Sequence, residues 1–255
     1  MLSILLKIIQ ETGDYIAERS ALSFAVSEKE GRNNLVTEVD TEAERRIKTA
    51  ILNAYPDHGF IGEEYGIENP KARYQWIIDP IDGTVNFAHH IPLYCVSIAL
   101  AIDGILTYGA IYNPVLKELF YAEKGKGAFL NHQPIRVSKQ EDFSRSFLVT
   151  GFPYHLPEGL PVTEIFSAFI HKGLPVRRLG SAALDLAYVA CGRFDAFWEF
   201  NLNAWDIAAG YLIVEEAGGK ISDFSGNPGH YYDSQTLASN GLLHEELRKT
   251  ITEYI

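Results

Sequence analysis

Apolar residues recur at helical spacing from the start of the chain: Leu2, Leu5, Leu6, Ile9 and Ile16 form one stripe, with Lys7, Glu11 and Asp14 opposite. That period predicts an amphipathic helix over roughly the first twenty residues, its stripe buried in a core. The polar stretch from Ser27 to Asn34, with Lys29, Arg32 and a glycine, breaks the pattern and is expected as a solvated loop or a mobile lid. Leu35 to Glu42 ends an apolar segment in acids and opens a second helix, with Ala43, Ile47 and Ile51 inward and Thr41 or Asp40 as its N-cap.

The period then shortens. Phe60-Ile61-Gly62 and Trp76-Ile77-Ile78 are short apolar runs expected as strands, and each is followed at once by acids: Glu63-Glu64 in one case, Asp79 in the other. Residues 65 to 75 are expected as an exposed connection. From Tyr94 to Val137 short apolar runs alternate with turns at Asp103-Gly104, Asn113-Pro114 and Gly125-Lys126-Gly127, the pattern of an antiparallel meander. The polar run Lys139 to Ser144 marks the expected boundary between subdomains of about residues 1–143 and 144–255. Beyond it, strands are expected at Phe147 to Thr150, Val176 to Leu179 and Phe194 to Phe200. Helices are expected at Thr163 to His171, from Gly180 to about Cys191, and from Asn203 to the Gly218-Gly219 stop. Such alternation supports helices packed on a sheet.

Composition narrows the function. The 255 residues are 47% hydrophobic and 22% charged, enough for a sizeable core. A formal charge of −11 argues against nucleic acid or an anionic membrane as partner. Cys95 and Cys191 are too few and too far apart for a disulfide framework, so both are expected as reduced thiols in a cytoplasmic protein. No signal-peptide pattern opens the chain, and the longest apolar run, Tyr94 to Ile102, is shorter than a membrane span.

Candidate chemistry concentrates in Asp79-Pro80-Ile81-Asp82-Gly83-Thr84. Asp79 is expected at the C-terminal mouth of the Trp76 strand. Pro80 is expected to force a sharp turn that brings Asp82 back to the same side. Gly83 admits close backbone approach, and a helical turn opening at Gly83-Thr84 offers N–H groups to an anion. Acids beside an anion site imply a cation between them, and Mg²⁺ takes carboxylates, water and phosphate oxygens. Ordinary turn chemistry would also use Asp-Pro and Asp-Gly, and Glu63-Glu64 would suit a solvated pair. Asp206, in the first turn of its helix, either complements the helix dipole or is held rigidly beside Trp205 as a ligand. The Gly180 segment either admits a substrate or only packs tightly. Neither a Gly-x-Ser-x-Gly elbow nor a Walker loop is present.

Asp79 to Phe87 and Trp205 to Gly219 resemble the two signature motifs of the inositol monophosphatase family. Leu35 to Asp40, Gly62-Glu63-Glu64 and Gly180 to Ala183 occur in the family's order at compatible spacing, so the resemblance covers nearly the whole chain. It implies an α+β fold, the layered αβαβα sandwich of the inositol monophosphatase and fructose-1,6-bisphosphatase type. It also implies a lithium-sensitive homodimer or tetramer dependent on Mg²⁺, with Mn²⁺ as a substitute and Ca²⁺ inhibitory. Glu63, Asp79 and the carbonyl of Ile81 would bind one ion, Asp79, Asp82 and Asp206 a second, and Glu63 would assist a weaker third. Thr84, backed by Asp40, matches the pair that orients the attacking water. Gly83 and Thr84 would hold the phosphate, while Asp82, Gly180, Ser181, Ala182, Glu199 and Asp206 would face the alcohol.

Departures are Asn34 in place of a common acid, Ser181 in place of a common Thr, and the bacterial-type stretch Thr150 to Tyr154; Lys29 matches a lid lysine. The implied reaction is hydrolysis of a small polyol or sugar phosphate, myo-inositol 1-phosphate first. Fructose 1,6-bisphosphate is the rival substrate, and a nucleotide or NADP(H) phosphate stands behind it. A role from another class is a metal-stabilised dimer that binds a protein, motivated by exposed aromatics at Tyr231-Tyr232 and the pair His89-His90.

Overall fold

A computed structural model describes residues 1–28, 35–154 and 156–255. The first layer is a pair of helices, α1 (Leu2–Ser20) and α2 (Glu38–Ala54), separated by the hairpin of β1 (Val26–Glu28) and β2 (Leu35–Thr37). Ser27 therefore lies in a strand, while Lys29, Arg32 and Asn34, expected in a solvated loop or lid, fall outside the described residues. The second helix begins earlier than expected. Thr37, not Thr41, is the N-cap, and Asp40 closes a capping box as its third helical residue.

An eight-stranded sheet forms the second layer. β3 (Gly59–Gly62) pairs antiparallel with a short edge strand, β4 (Gly66–Glu68), inside the segment expected as a plain connection. β5 (Tyr74–Asp82) runs parallel to β3. The short helix α3 (Thr84–Ala88) follows, and β6 (Cys95–Ile102), β7 (Ile105–Asn113), β8 (Glu118–Glu123), β9 (Gly127–Leu130) and β10 (Gln133–Ile135) complete the antiparallel meander. Side chains alternate between faces as the pleat requires. Trp76 and Ile78 pack beneath α1 and α2 with Val96, Ile98 and Leu100, whereas Ile77 points to the opposite core with Ala99 and Ala101.

A five-stranded sheet lies across the molecule in the order β12-β11-β13-β15-β14. Its strands are β11 (Leu148–Thr150), β12 (Val176–Arg177), β13 (Ala196–Phe200), β14 (Lys220–Ser222) and β15 (Gln235–Ser239). Three helices belong to this half besides the last: α4 (Val162–His171), α5 (Ala182–Ala190) and α6 (Ala204–Glu216). Between the sheets lie α5 and α6, apolar on every side as a helix with two buried faces must be. On the outer face, α4 and the terminal helix α7 (His244–Thr252) cover Leu148, Trp198 and Leu237. The order of layers is helix, sheet, helix, sheet, helix. No helix of the described residues is long and apolar enough to cross a membrane.

One strand departs from expectation in a way that builds the site. β5 does not stop at Ile78 and turn; it continues through Asp79 to Asp82. Asp79 faces Ser97 and Asp82 faces Cys95, so three steps along β5 match two along β6. In a regular strand, residues three apart point to opposite faces. The extra residue is a bulge that reverses this parity, and Pro80, which has no N–H for the ladder, is suited to it. Ile78 and Ile81 consequently share the α1–α2 core, and both carboxylates point the other way.

Candidate active site

Gly83, with φ +94, caps α3 at the end of β5, and a side chain there would meet the carbonyl oxygens of Leu93 and Gly180. It closes a small cavity of about 90 Å³ whose walls include Glu63, Asp79, Ile81, Asp82, Thr84 and Asp206. A larger cavity of about 340 Å³ adjoins it and is lined by Ser181, Ala182 and Glu199 among others. Glu63, Asp82, Tyr154, Gly180 and Asp206 border both. The sequence-predicted residues are thus brought into two joined chambers, with Asp40 behind Thr84.

Each acid is held differently. Asp40 is fully buried and accepts hydrogen bonds from Thr37 N at 2.9 Å, from the Thr37 hydroxyl, and from Thr84 Oγ1 at 3.1 Å. Burial pushes its pKa up to about 7 despite those bonds. Thr84 Oγ1 also stands 2.9 Å from the Ile81 carbonyl. A hydroxyl has one proton, so it serves one of these acceptors at a time.

Asp82 is fixed from the far side. Its Oδ2 accepts from Ser181 Oγ at 2.6 Å and Ala183 N at 2.7 Å, at the start of α5. Burial raises its pKa to about 6, and these bonds restrain the rise. Ser181, expected only to face the alcohol, is an orienting partner of Asp82. Asp206 Oδ2 accepts from Asn203 N at 2.6 Å, which closes the N-terminus of α6.

Asp79 lacks such support. It is 2% exposed, and its Oδ1 meets no donor. Burial, then the charges of Glu63, Asp82 and Asp206, lift its pKa well above the usual carboxylate range, and it shares a hydrogen bond with Glu63. Burial and the charge of Asp82 raise Asp206 likewise. A buried carboxylate with one oxygen that meets no donor, ringed by other acids, is oxygen-only chemistry of the kind a hard divalent cation satisfies, and on that count the residues fit Mg²⁺. The acids surround the cavity without closing on one point: among the described residues no three His, Cys, Asp or Glu side chains stand grouped at ligand spacing.

Glu199, at the back of the larger chamber, is 7% exposed; burial and then the charge of Asp206 hold its pKa well above normal. Its carboxylate lies so close to Gly151 that a Cβ there would fall 2.0 Å from Oε2. Tyr154, from the Thr150 to Tyr154 stretch noted in the sequence, lines this chamber, as do Arg178 and Asp185, which were not singled out from sequence. Arg178 stands two residues before the recognised Gly180 segment, and Asp185 is the lone charged residue of α5. His89 and His90 are exposed beyond α3, away from both chambers. Tyr232 is exposed, but Tyr231 is only 7% exposed and packs in the central core, so the expected pair of surface aromatics reduces to one.

Comparison with known proteins agrees with this arrangement. The inositol monophosphatase family model matches residues 1–255. An inositol-1-monophosphatase of Synechocystis is 45% identical over 231 residues, 89% of this chain and 79% of that protein. A Pseudomonas aeruginosa protein named Nus factor SuhB is 40% identical over 100% of this chain and 97% of its own length. Among solved structures, Bartonella henselae SuhB superposes with a TM-score of 0.94 at 37% identity, covering 99% of this chain and 98% of that one. The chain belongs to the inositol monophosphatase family of phosphomonoesterases.

Proposed function

We propose that the protein hydrolyses the phosphate monoester of a small polyol or sugar, with myo-inositol 1-phosphate the leading substrate and Mg²⁺ the cofactor. The observation that carries this reading is the bulge of β5, which turns Asp79 and Asp82 into one chamber with Glu63 and Asp206. Glu63, Asp79 and the Ile81 carbonyl would hold one ion, and Asp79, Asp82 and Asp206 another. When bound, such ions neutralise the ester and lower the pKa of water.

The chain's own residues do the rest. Thr84 donates its one hydroxyl hydrogen to Asp40 or to the Ile81 carbonyl, and in donating to Asp40 it would leave its oxygen as an acceptor that orients water. The Gly83 turn would offer backbone N–H groups to the phosphate, and Ser181 and Ala183 keep Asp82 aimed. Glu199 accepts a hydroxyl of the departing alcohol in the 340 Å³ chamber, a volume within the usual range for small-molecule sites. Asp82→Asn should abolish Mg²⁺-dependent phosphate release with the fold intact; turnover like the wild type would refute the assignment. Parallel turnover on myo-inositol 1-phosphate and fructose 1,6-bisphosphate decides between the two substrates.

A second reading, binding to a protein partner, is favoured by the relatives named Nus factor SuhB. Absence of a stoichiometric partner in a pull-down from lysate would remove it.

A further inference from the structure

The larger chamber holds an acid that the proposed reaction leaves without a task. Asp185 lies in the first turn of α5, a helix whose nine residues are all buried and otherwise uncharged. Its side chain is 1% exposed and lines the chamber, and its Oδ1 meets no hydrogen-bond donor. Burying a carboxyl without a donor is costly, and a place near a helix N-terminus offsets only a small part of that cost. The neighbours whose charges reach it are Glu199, Asp82 and Arg178. Arg178 is the one cation among the described residues of the chamber wall. Its guanidinium also stands beside Tyr154 and against Gly180. What Asp185 lacks is a donor arriving from the cavity, and beside Arg178 a neutral hydroxyl is better suited than an ammonium group.

We infer that Asp185 is a second hydroxyl acceptor of the alcohol chamber, paired with Glu199, so that the ester is selected by two hydroxyls of its alcohol half. The inference rests on the phosphomonoesterase reading and adds a specificity-determining residue to it. The ligand class follows: ring or chain polyols with hydroxyls on two carbons besides the esterified one, in preference to mono-alcohols of equal bulk. A hydrogen bond to a charged group discriminates by about 10- to 100-fold.

The test compares myo-inositol 1-phosphate with cyclohexyl phosphate, the same ring without free hydroxyls, on the full chain in Mg²⁺. In Asp185→Ala the ratio of the two kcat/KM values should fall about 10- to 100-fold, mostly through KM for the inositol ester. Asp185→Asn, which keeps a neutral acceptor, should recover part of it. Free myo-inositol should also raise the melting temperature of the wild type more than that of Asp185→Ala. A ratio unchanged in Asp185→Ala, whether both rates fall together or neither moves, overturns the inference and leaves the enzyme reading standing. A wild type that releases phosphate from neither ester defeats the reading beneath and the inference with it. If both variants misfold, single-deoxy inositol phosphates on the wild type decide: two different hydroxyls must each cost tenfold or more, and a penalty at one or none overturns the proposal.

Discussion

Two regions bury polar groups at similar depth and treat them in opposite ways. At the start of α7, His244 is fully buried, and its two ring nitrogens lie 2.8 Å from Ser222 Oγ and 2.8 Å from Ser239 Oγ. Near the β3 exit, Glu44 is fully buried and accepts from Glu64 N at 2.7 Å and Tyr65 N at 3.2 Å. In the chambers, Asp79 and Asp185 each keep an oxygen with no donor. Interiors normally satisfy what they bury. The paired groups are satisfied by the fold itself, whereas the oxygens of Asp79 and Asp185, which line the chambers, are left for the proposed cation and substrate to complete.

The largest expected effect breaks the contrast at its unsatisfied side. Asp79→Asn should lower phosphate release about a thousandfold, roughly 4 kcal/mol of barrier. Its melting temperature in metal-free buffer should hold or rise, because the amide removes a charge repelled by Glu63, Asp82 and Asp206. An active variant, or one that melts well below the wild type, would erase the distinction.

The next effect tests the satisfied side by pH. Burial, then the charge of Lys220, lowers the His244 pKa from 6.5 to about 4, so the unfolded chain takes up a proton before the folded one. The contribution of neutral His244 is complete above pH 6.5 and is lost as pH falls toward 4. Denaturant unfolding of wild type and His244→Gln should differ by roughly 3 kcal/mol less at pH 4 than at pH 7. A difference that does not vary with pH would show that folding leaves the His244 pKa where it is in the unfolded chain.

The smallest effect lies at Glu44. Glu44→Gln keeps one acceptor for two turn N–H groups and should cost about 1 to 2 kcal/mol of stability, with phosphate release within a few-fold of wild type. A large loss of activity with little loss of stability would move Glu44 into the other class.

Much of this architecture was legible because it is locally encoded. The helical stripe from Leu2 to Ile16, the apolar runs of β3 and β5 and the turn-separated meander announce themselves by period alone. Boundaries set by side-chain hydrogen bonds were not. The sequence points to Thr41 or Asp40 as the cap, whereas the contact of Thr37 N with Asp40 makes Thr37 the cap and Asp40 the third helical residue. The segment that forms β14, β15 and α7 went unread, since β15 is a five-residue strand placed between β13 and β14 by pairing across the chain. At the site, paired acids are visible to the eye, but the parity change at Pro80 that aims them needs the register with β6. Ser181 shows the same limit: its hydroxyl is in the sequence, its bond to Asp82 is not.

Gly151 has a practical consequence. With the Glu199 carboxylate occupying the space of any Cβ at that position, every substitution there displaces an acid instead of reshaping a wall. Phe152, next along, is tethered edge-on to Phe166. Efforts to broaden or redirect the range of esters this catalyst accepts should therefore place diversity at Pro153 and Tyr154 and leave 151 alone.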